Sequence, residues 1–478
     1  MSGQHTLLTD PNCLAAAGLS ADDVSAWNRA EPKLTESYAQ DCRRFSDYWL
    51  QSARLTALLP PADRRNECER AAAEQITEAA RKTRKQFLRA HVESLYNVLT
   101  AGGARQVRIQ QLVFDAAEAL PGLVPTKSDL SAESGRLQRD RSGIEIDQGL
   151  FAAAVLANQN AGRHLCHSML APRPESLHLL DRFRRDGVVE LQGASVQRRG
   201  SACVVSYEHP RFLNAEDEST VDGMEICVDL ALLDDAADVV VLRGSQVEHA
   251  KYSGRRVFGA GINLTHLYYG RIPFVWYLQR DLGYVNKIYR GLSVLGDAPP
   301  DECGGATIEK PWIAAVEGFA IGGHCQVILV CDYVIAERGA YLTLPARKEG
   351  IIPGAANLRL PRFTGDRIAR QAILFGRRIE CASAAGAMIC DMVVDAGMID
   401  DAIAEALNGL ASSGLVSAAG NRRALRIAEE PLDLFRNYMA VYAREQAYCH
   451  FSPALITNLE LHWNAQSRTP SPWPKTAT

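Results

Sequence analysis

The sequence predicts an α/β fold: a central α/β region set between a helical N-terminal domain and C-terminal helices. Three observations predict it. Before residue 187 apolar residues recur mostly at helical spacing. After it, short apolar runs such as VVVLRG and WIAAV alternate with helical stretches, the pattern of right-handed βαβ units. Beyond Arg359 the chain turns mostly helical again. The expected organisation is a helical domain over 1–187, an α/β core over 188–365, a helical region over 366–466 and a Pro- and Ser-rich tail over 467–478.

Composition narrows the class. The 478 residues are 47% hydrophobic and 23% charged, within the globular range, with a net charge of −4. Such a balance gives no support to nucleic-acid binding. The longest apolar runs are too short to span a bilayer. The start MSGQHTLLTDPNC lacks the basic opening and apolar core of a signal peptide, so a cytoplasmic location is expected. Twelve scattered cysteines with no CxxC pair point to free thiols rather than disulfides or zinc.

Taken in order, residues 1–30 are expected to be poorly structured apart from a short helix near 20–29. Helices are expected over 34–59 and from Asp63, as cap, to about 100. The basic run Arg81, Lys82, Arg84, Lys85 and Arg89 is expected to form a solvated face. Helices follow near 107–120, 148–170 and 175–186. The pair His164 and His167 around Cys166 has no further ligands nearby and is read as helix, not metal site. Strands are expected at VVELQG and ACVVSYEH, a helix over 221–233, then a buried strand VVVLRG over 239–244. Another strand-like step enters VFGAGINL. One long aromatic-rich helix is expected from about 274 to 295.

The stretch PWIAAVEGFAIGGHCQVILVCD, 311–332, carries the strongest functional signal. An apolar run breaks at Gly318 and again at Gly322-Gly323, and a second apolar run follows. Strand, glycine turn and buried helix would aim backbone N–H groups outward, where developing negative charge is stabilised. FGAGINL, 258–264, is a second such turn. Two turns, each offering one N–H, are what a two-donor oxyanion hole requires.

With these motifs in view, the stretch 188–395 resembles the crotonase (enoyl-CoA hydratase/isomerase) superfamily. The landmarks are PRFLNAE at 210–216, VVVLRG, FGAGINL, KPWIAAVEGFAIGGHCQVILVCD, IIPGAANLRLPRFTG at 351–365 and FGRRIECASAAGAMICDMVVD, in family order and spacing. The resemblance implies a spiral of ββα units, a coenzyme A thioester substrate and assembly into homotrimers or hexamers. It assigns the oxyanion hole to the N–H groups of Ile262 and Gly323, where a side chain at 323 would block the thioester. It places CoA along Pro210, Arg211, Leu213 and Ala215 and along Ala260, Gly261, Asn263 and Leu264. The basic residues Lys251, Arg255 and Arg256 are candidates to meet its phosphates, and Tyr252 is a further CoA-binding candidate.

The chain departs from a hydratase where water addition needs two glutamates: it has Gln326 and Ala346. Neither exchanges a proton near neutral pH, so hydration is disfavoured. Glu216 and Arg280 are the replacements considered, a carboxylate for a phenolic hydroxyl and a fixed cation for an anion. The alternative for Arg280 is an ion pair with Asp281 or Glu216. Arg271 is a less favoured cation. The helical N-terminal part and HLYYGRIPFVWYLQRDLGYVNKIYRGL resemble a dioxygenase branch of the same family. That branch implies oxidation of 3,5-dihydroxyphenylacetyl-CoA by O2 to 3,5-dihydroxyphenylglyoxylate and free CoA, on the way to dihydroxyphenylglycine for glycopeptide antibiotics. It implies no metal or organic cofactor. Leu264, Ile351 and Ile352 are the candidate lining of a dioxygen pocket. The alternatives are an arylacyl-CoA thioesterase and a non-catalytic acyl-CoA binder.

Overall fold

The computed structural model describes residues 11–294, 307–411 and 415–470. Its backbone is a seven-stranded sheet in the order Val188–Leu191, Gly193–Arg199, Ala202–Glu208, Val239–Gly244, Trp312–Val316, Tyr333–Glu337, Met392–Val394. The first three strands are antiparallel and the rest parallel. Every residue of Val239–Gly244 and Trp312–Val316 is buried, which is why these strands are near-continuously apolar. The exception, Arg243, is matched by Glu317 at 2.8 and 2.9 Å and by Asp400 at 2.6 Å.

A second sheet makes the spiral. Phe319–Ile321 and Tyr341–Thr343 pair in parallel, and Ile379–Glu380 closes the other edge. Twice in succession a strand of the large sheet is followed by a strand of the small one and then by a helix. The first turn is Trp312–Val316, Phe319–Ile321, Gly323–Ile328; the second is Tyr333–Glu337, Tyr341–Thr343, Ala346–Glu349. Met392–Val394 joins the large sheet from beyond residue 365, so the sheet draws on chain from both sides of that position.

The flanking helices hold this core from outside. Glu67–Leu99 runs 33 residues, roughly 50 Å at 1.5 Å per residue. Asn66 and Glu69, not Asp63, form its capping box. Ile146–Ala157 and Leu432–His450 approach closely because residue 149 is glycine: a Cβ there would lie 2.4 Å from Ala447 Cβ. N- and C-terminal helices thus meet over the core.

Several expectations are corrected. Residues 11–30 form two helices, Pro11–Ala16 and Ala21–Arg29, whose Leu14 and Trp27 are buried. Arg81 and Arg84 are not a solvated face: both turn inward to Asp147 at 3.2 Å. The stretch 148–170 is two helices, broken at Asn158, whose side chain caps the second. Gly193–Arg199 is a strand the pattern missed. VFGAGINL contributes only isolated bridges, Gly259 to Ala320 and Ile262 to Glu216. The aromatic segment is two helices, Val275–Leu282 and Tyr284–Arg290, then a short strand, Leu292–Ser293. Its expected end at residue 295, like 471–478 of the tail, lies outside the described residues.

Candidate active site

The two glycine turns pack against each other. Gly322 has φ 52° and ψ −116°, and Gly261 has φ 79°, conformations that favour glycine. A Cβ on Gly261 would lie 2.8 Å from the Ile321 carbonyl and 3.3 Å from the Gly323 nitrogen. Ile321 N–H donates to the Gly259 carbonyl at 3.0 Å. His324 adds a cross-link: Gly261 N–H donates to its Nδ1 at 2.9 Å. Burial pulls the His324 imidazole down to about 4, so it is neutral and free to accept that bond.

These contacts bring the turns carrying Ile262 and Gly323 to one cavity. Around Ile262 the bridge bonds are Glu216 N–H to the Gly261 carbonyl and Asn263 N–H to the Glu216 carbonyl, both 2.7 Å. In a parallel bridge the intervening residue directs its own N–H to the opposite edge, and Ile262 lines a cavity. Gly323 lines the same cavity and opens the helix Gly323–Ile328, where the first N–H has no intrahelical acceptor. Gln326, Arg280, Ile351 and Ile352 also line it. One wall is aromatic, with Trp276 and Tyr277 from one flank and Tyr442 from the C-terminal helix Leu432–His450.

Behind Gly323 lies a buried charge network. Arg280 Nε donates to Glu216 at 2.9 and 3.0 Å, Nη1 to Asp281 at 2.8 Å and to Gln326 Oε1 at 3.1 Å, and Nη2 to the Gly323 carbonyl at 2.7 Å. Tyr284 also donates to Glu216. Burial pushes the Glu216 carboxyl up, but the Arg280 guanidinium brings it below the usual range. Burial raises Asp281 despite Arg280 beside it. Glu216 does not line the cavity; it is the counter-ion that fixes Arg280. Of the alternatives for Arg280, the ion pair is the arrangement present, and it involves both acids.

The other sequence candidates divide. Leu213, Tyr252 and Ala260 gather with Phe319, Ile321 and Tyr341 in a separate apolar cluster, and Lys251 lies over the Tyr252 ring at 5.1 Å. Pro210, Arg211 and Ala215 sit on the neighbouring loop, tied by Ala260 N–H to the Leu213 carbonyl at 3.1 Å. Arg255 is exposed, and Arg256 donates to the Gly244 carbonyl at 3.1 Å. Asn263 turns inward: its Oδ1 accepts from His266 N–H and its Nδ2 donates to Asp217. Leu264 and Arg271 do not line the cavity. Of the three expected dioxygen-pocket residues only Ile351 and Ile352 reach it.

Sequence reasoning missed Glu349, a buried acid in the cavity wall. Burial alone pushes its carboxyl up to about 7. Its one available signal was position, three residues after Ala346 and so on the same face of a helical turn. Among the described residues Asp217, Glu218 and His266 could together hold a metal ion. His266 is however bound to both acids at 3.1 Å and raised to about 9, its own burial notwithstanding.

A (3,5-dihydroxyphenyl)acetyl-CoA 1,2-dioxygenase from Amycolatopsis orientalis is 44% identical over 417 residues, 87% of this chain and 94% of that protein. The chain belongs to the crotonase superfamily. Residues 305–434 match its enoyl-CoA hydratase/isomerase family. Within the superfamily, a short-chain-enoyl-CoA hydratase from Clostridium acetobutylicum is 27% identical over 239 residues, 50% of this chain and 82% of that protein. A solved enoyl-CoA hydratase from Mycobacterium avium subsp. paratuberculosis K-10 superposes with a TM-score of 0.46 at 21% identity, covering 56% of this chain and 98% of that one. No helix among the described residues is long and apolar enough to cross a membrane.

Proposed function

We propose that this crotonase is a dioxygenase of an arylacetyl-CoA thioester, 3,5-dihydroxyphenylacetyl-CoA, forming 3,5-dihydroxyphenylglyoxylate and free CoA. What supports it is the pair of glycine turns that bring Ile262 and Gly323 to one cavity, with Gln326 and Ala346 at the positions where a hydratase has proton-exchanging acids. Such a site favours an enolate, and at 326 and 346 it lacks the two glutamates with which a hydratase adds water. The similarity to the Amycolatopsis dioxygenase supports the same reading.

In this reading the thioester oxygen accepts from both N–H groups, and loss of an α-proton leaves the charge there. The enolate passes one electron to dioxygen. Radical recombination forms a C–O bond, and the α-peroxide attacks the thioester carbonyl, expelling CoA thiolate. O–O cleavage with loss of the second α-hydrogen as a proton leaves the α-keto acid. Two oxygen atoms enter and two hydrogens leave carbon, so the substrate supplies every electron, without a metal or organic cofactor. Arg280, fixed by Glu216, offers positive charge to the cavity, while Ile351, Ile352 and Trp276 keep it apolar. CoA runs beside Leu213, Tyr252 and Ala260, and the protein works as a homo-oligomer in the cytoplasm.

The test is incubation with 3,5-dihydroxyphenylacetyl-CoA with and without dioxygen. The expected result is oxygen uptake equal to CoA released, with the arylglyoxylate formed, unchanged by chelators. CoA release without oxygen, yielding the arylacetate, would make the protein a thioesterase instead. Binding without turnover would make it a non-catalytic acyl-CoA binder.

A further inference from the structure

The proposed reaction begins with removal of a proton, and the residues so far assigned contain no group to take it. We propose that Glu349 is the base that removes the α-proton of the thioester, an inference that rests on the reading of the cavity as an enolate-forming site. Glu349 is 5% exposed and lines the same cavity as Ile262 and Gly323. It ends the single turn Ala346–Glu349, stopped by Gly350 in the left-handed conformation. One turn separates it from Ala346, so the carboxyl absent at 346 is supplied from the same helical face.

The surrounding charges single it out. The other acid in the cavity wall, Asp281, is bound to Arg280. Arg280 is itself engaged by Glu216, Gln326 and the Gly323 carbonyl, so it does not hold Glu349 as a carboxylate. Tyr277 and Tyr442 complete the titratable lining, and both phenols are raised by burial. On its own turn Arg347 and Lys348 are exposed. From the helix that follows, Arg359 is bound to Glu430 at 2.9 Å. From the helix packed behind, Glu460 accepts from Tyr268, and His462 is exposed. No cation among the described residues pairs with Glu349, and burial alone sets its titration near neutrality. A base with that titration is matched to its task at neutral pH.

The step balances. The α-carbon–hydrogen bond breaks, its proton forms an O–H bond on the Glu349 carboxylate, and the electron pair remains as the enolate whose oxygen faces Ile262 and Gly323. The same carboxyl then returns the proton to the departing CoA thiolate or to solvent.

The experiment follows α-hydrogen exchange of 3,5-dihydroxyphenylacetyl-CoA in D2O under argon, by mass spectrometry, in the wild type, Glu349→Gln and Glu349→Asp. The wild type is expected to exchange at a rate that rises with pH and levels off above about 7. Glu349→Gln should exchange at least ~10²-fold more slowly, and Glu349→Asp should recover part of the rate. Thermal melts and thioester affinity under argon establish that the Gln variant is folded and binds. Wild-type exchange in the folded Gln variant overturns the assignment. Exchange in the wild type without oxygen-dependent product overturns the dioxygenase reading and leaves Glu349 as the base. No exchange by the wild type overturns both.

Discussion

Glycine at 323 is required by what lies behind it as much as by what it faces. A Cβ there would stand 2.7 Å from Glu216 Oε2 and 3.0 Å from Arg280 Nη2. The side chain would therefore strike the buried ion pair, a reason for glycine different from shielding a thioester. Gly323→Ala is expected to push Arg280 off the Gly323 carbonyl and tilt the helix start, misaligning one oxyanion donor. Loss of one such donor lowers kcat by about 10²–10³-fold. Steady-state kinetics with the arylacetyl-CoA measure it, and a near-normal kcat would remove Gly323 N–H from the reaction. The glycine pairs themselves were legible in the sequence, because conformations such as φ 52° leave glycine as the natural choice. For Arg280 the sequence offered Asp281 or Glu216 as alternative partners, but not that both are engaged at once. Five donors can be spent on any nearby acceptor, and only the fold shows that Glu216, Asp281 and Gln326 share one guanidinium.

At the scale of elements, the strand signals were strong where both faces are buried, as in VVVLRG and WIAAV. Gly193–Arg199 was missed because QRR at its exposed end hides the alternation. The aromatic segment was read as one helix because nothing in its apolar pattern marks Gly283 as a break. A Cβ at Gly283 would meet the Gln279 carbonyl at 2.4 Å and Glu225 Oε1 at 3.1 Å. The second half, Tyr284–Arg290, is held by Lys287, fully buried between Glu225 and Asp229 at 2.8 and 2.7 Å. Those two acids are four apart on the helix Val221–Leu233 and so share a face. Arg108 and Arg173 help hold Glu225, which Lys287 and Arg108 bring down to about 2 against its burial. Asp229 depends on Lys287 as its cation. Lys287→Met keeps the volume but strands a buried acid, so it should destabilise the protein by about 3–5 kcal/mol. Urea unfolding at neutral pH checks this. A shift well under 1 kcal/mol would mean that Asp229 is already protonated there.

The whole molecule explains why the cavity was only half visible in the sequence. Its Ile262–Gly323 end and its Ile351–Ile352 wall come from adjacent crotonase motifs, but Tyr442 comes from a helix that packs closely against Gly149. Contacts across some 300 residues leave no local periodicity. The same enclosure buries Glu349, and that burial has a measurable consequence apart from catalysis. Its carboxyl is raised from the usual 4.5 to about 7, with loss of hydration as the cause. A raised carboxyl contributes stability that is complete below pH 4.5 and lost as pH rises to about 7, because the unfolded chain releases the proton first. Over that window the folded state gives up about 3 kcal/mol relative to a residue that does not titrate, from roughly 1.4 kcal/mol per pH unit. Glu349→Gln removes the titration and keeps the shape. The variant should therefore gain on the wild type between pH 5 and pH 8, with the difference levelling off above 7. Urea midpoints of both proteins at pH 5, 6, 7 and 8 measure it. A constant difference across the series would place the Glu349 carboxyl in contact with water, and the cavity would then be open where this structure closes it.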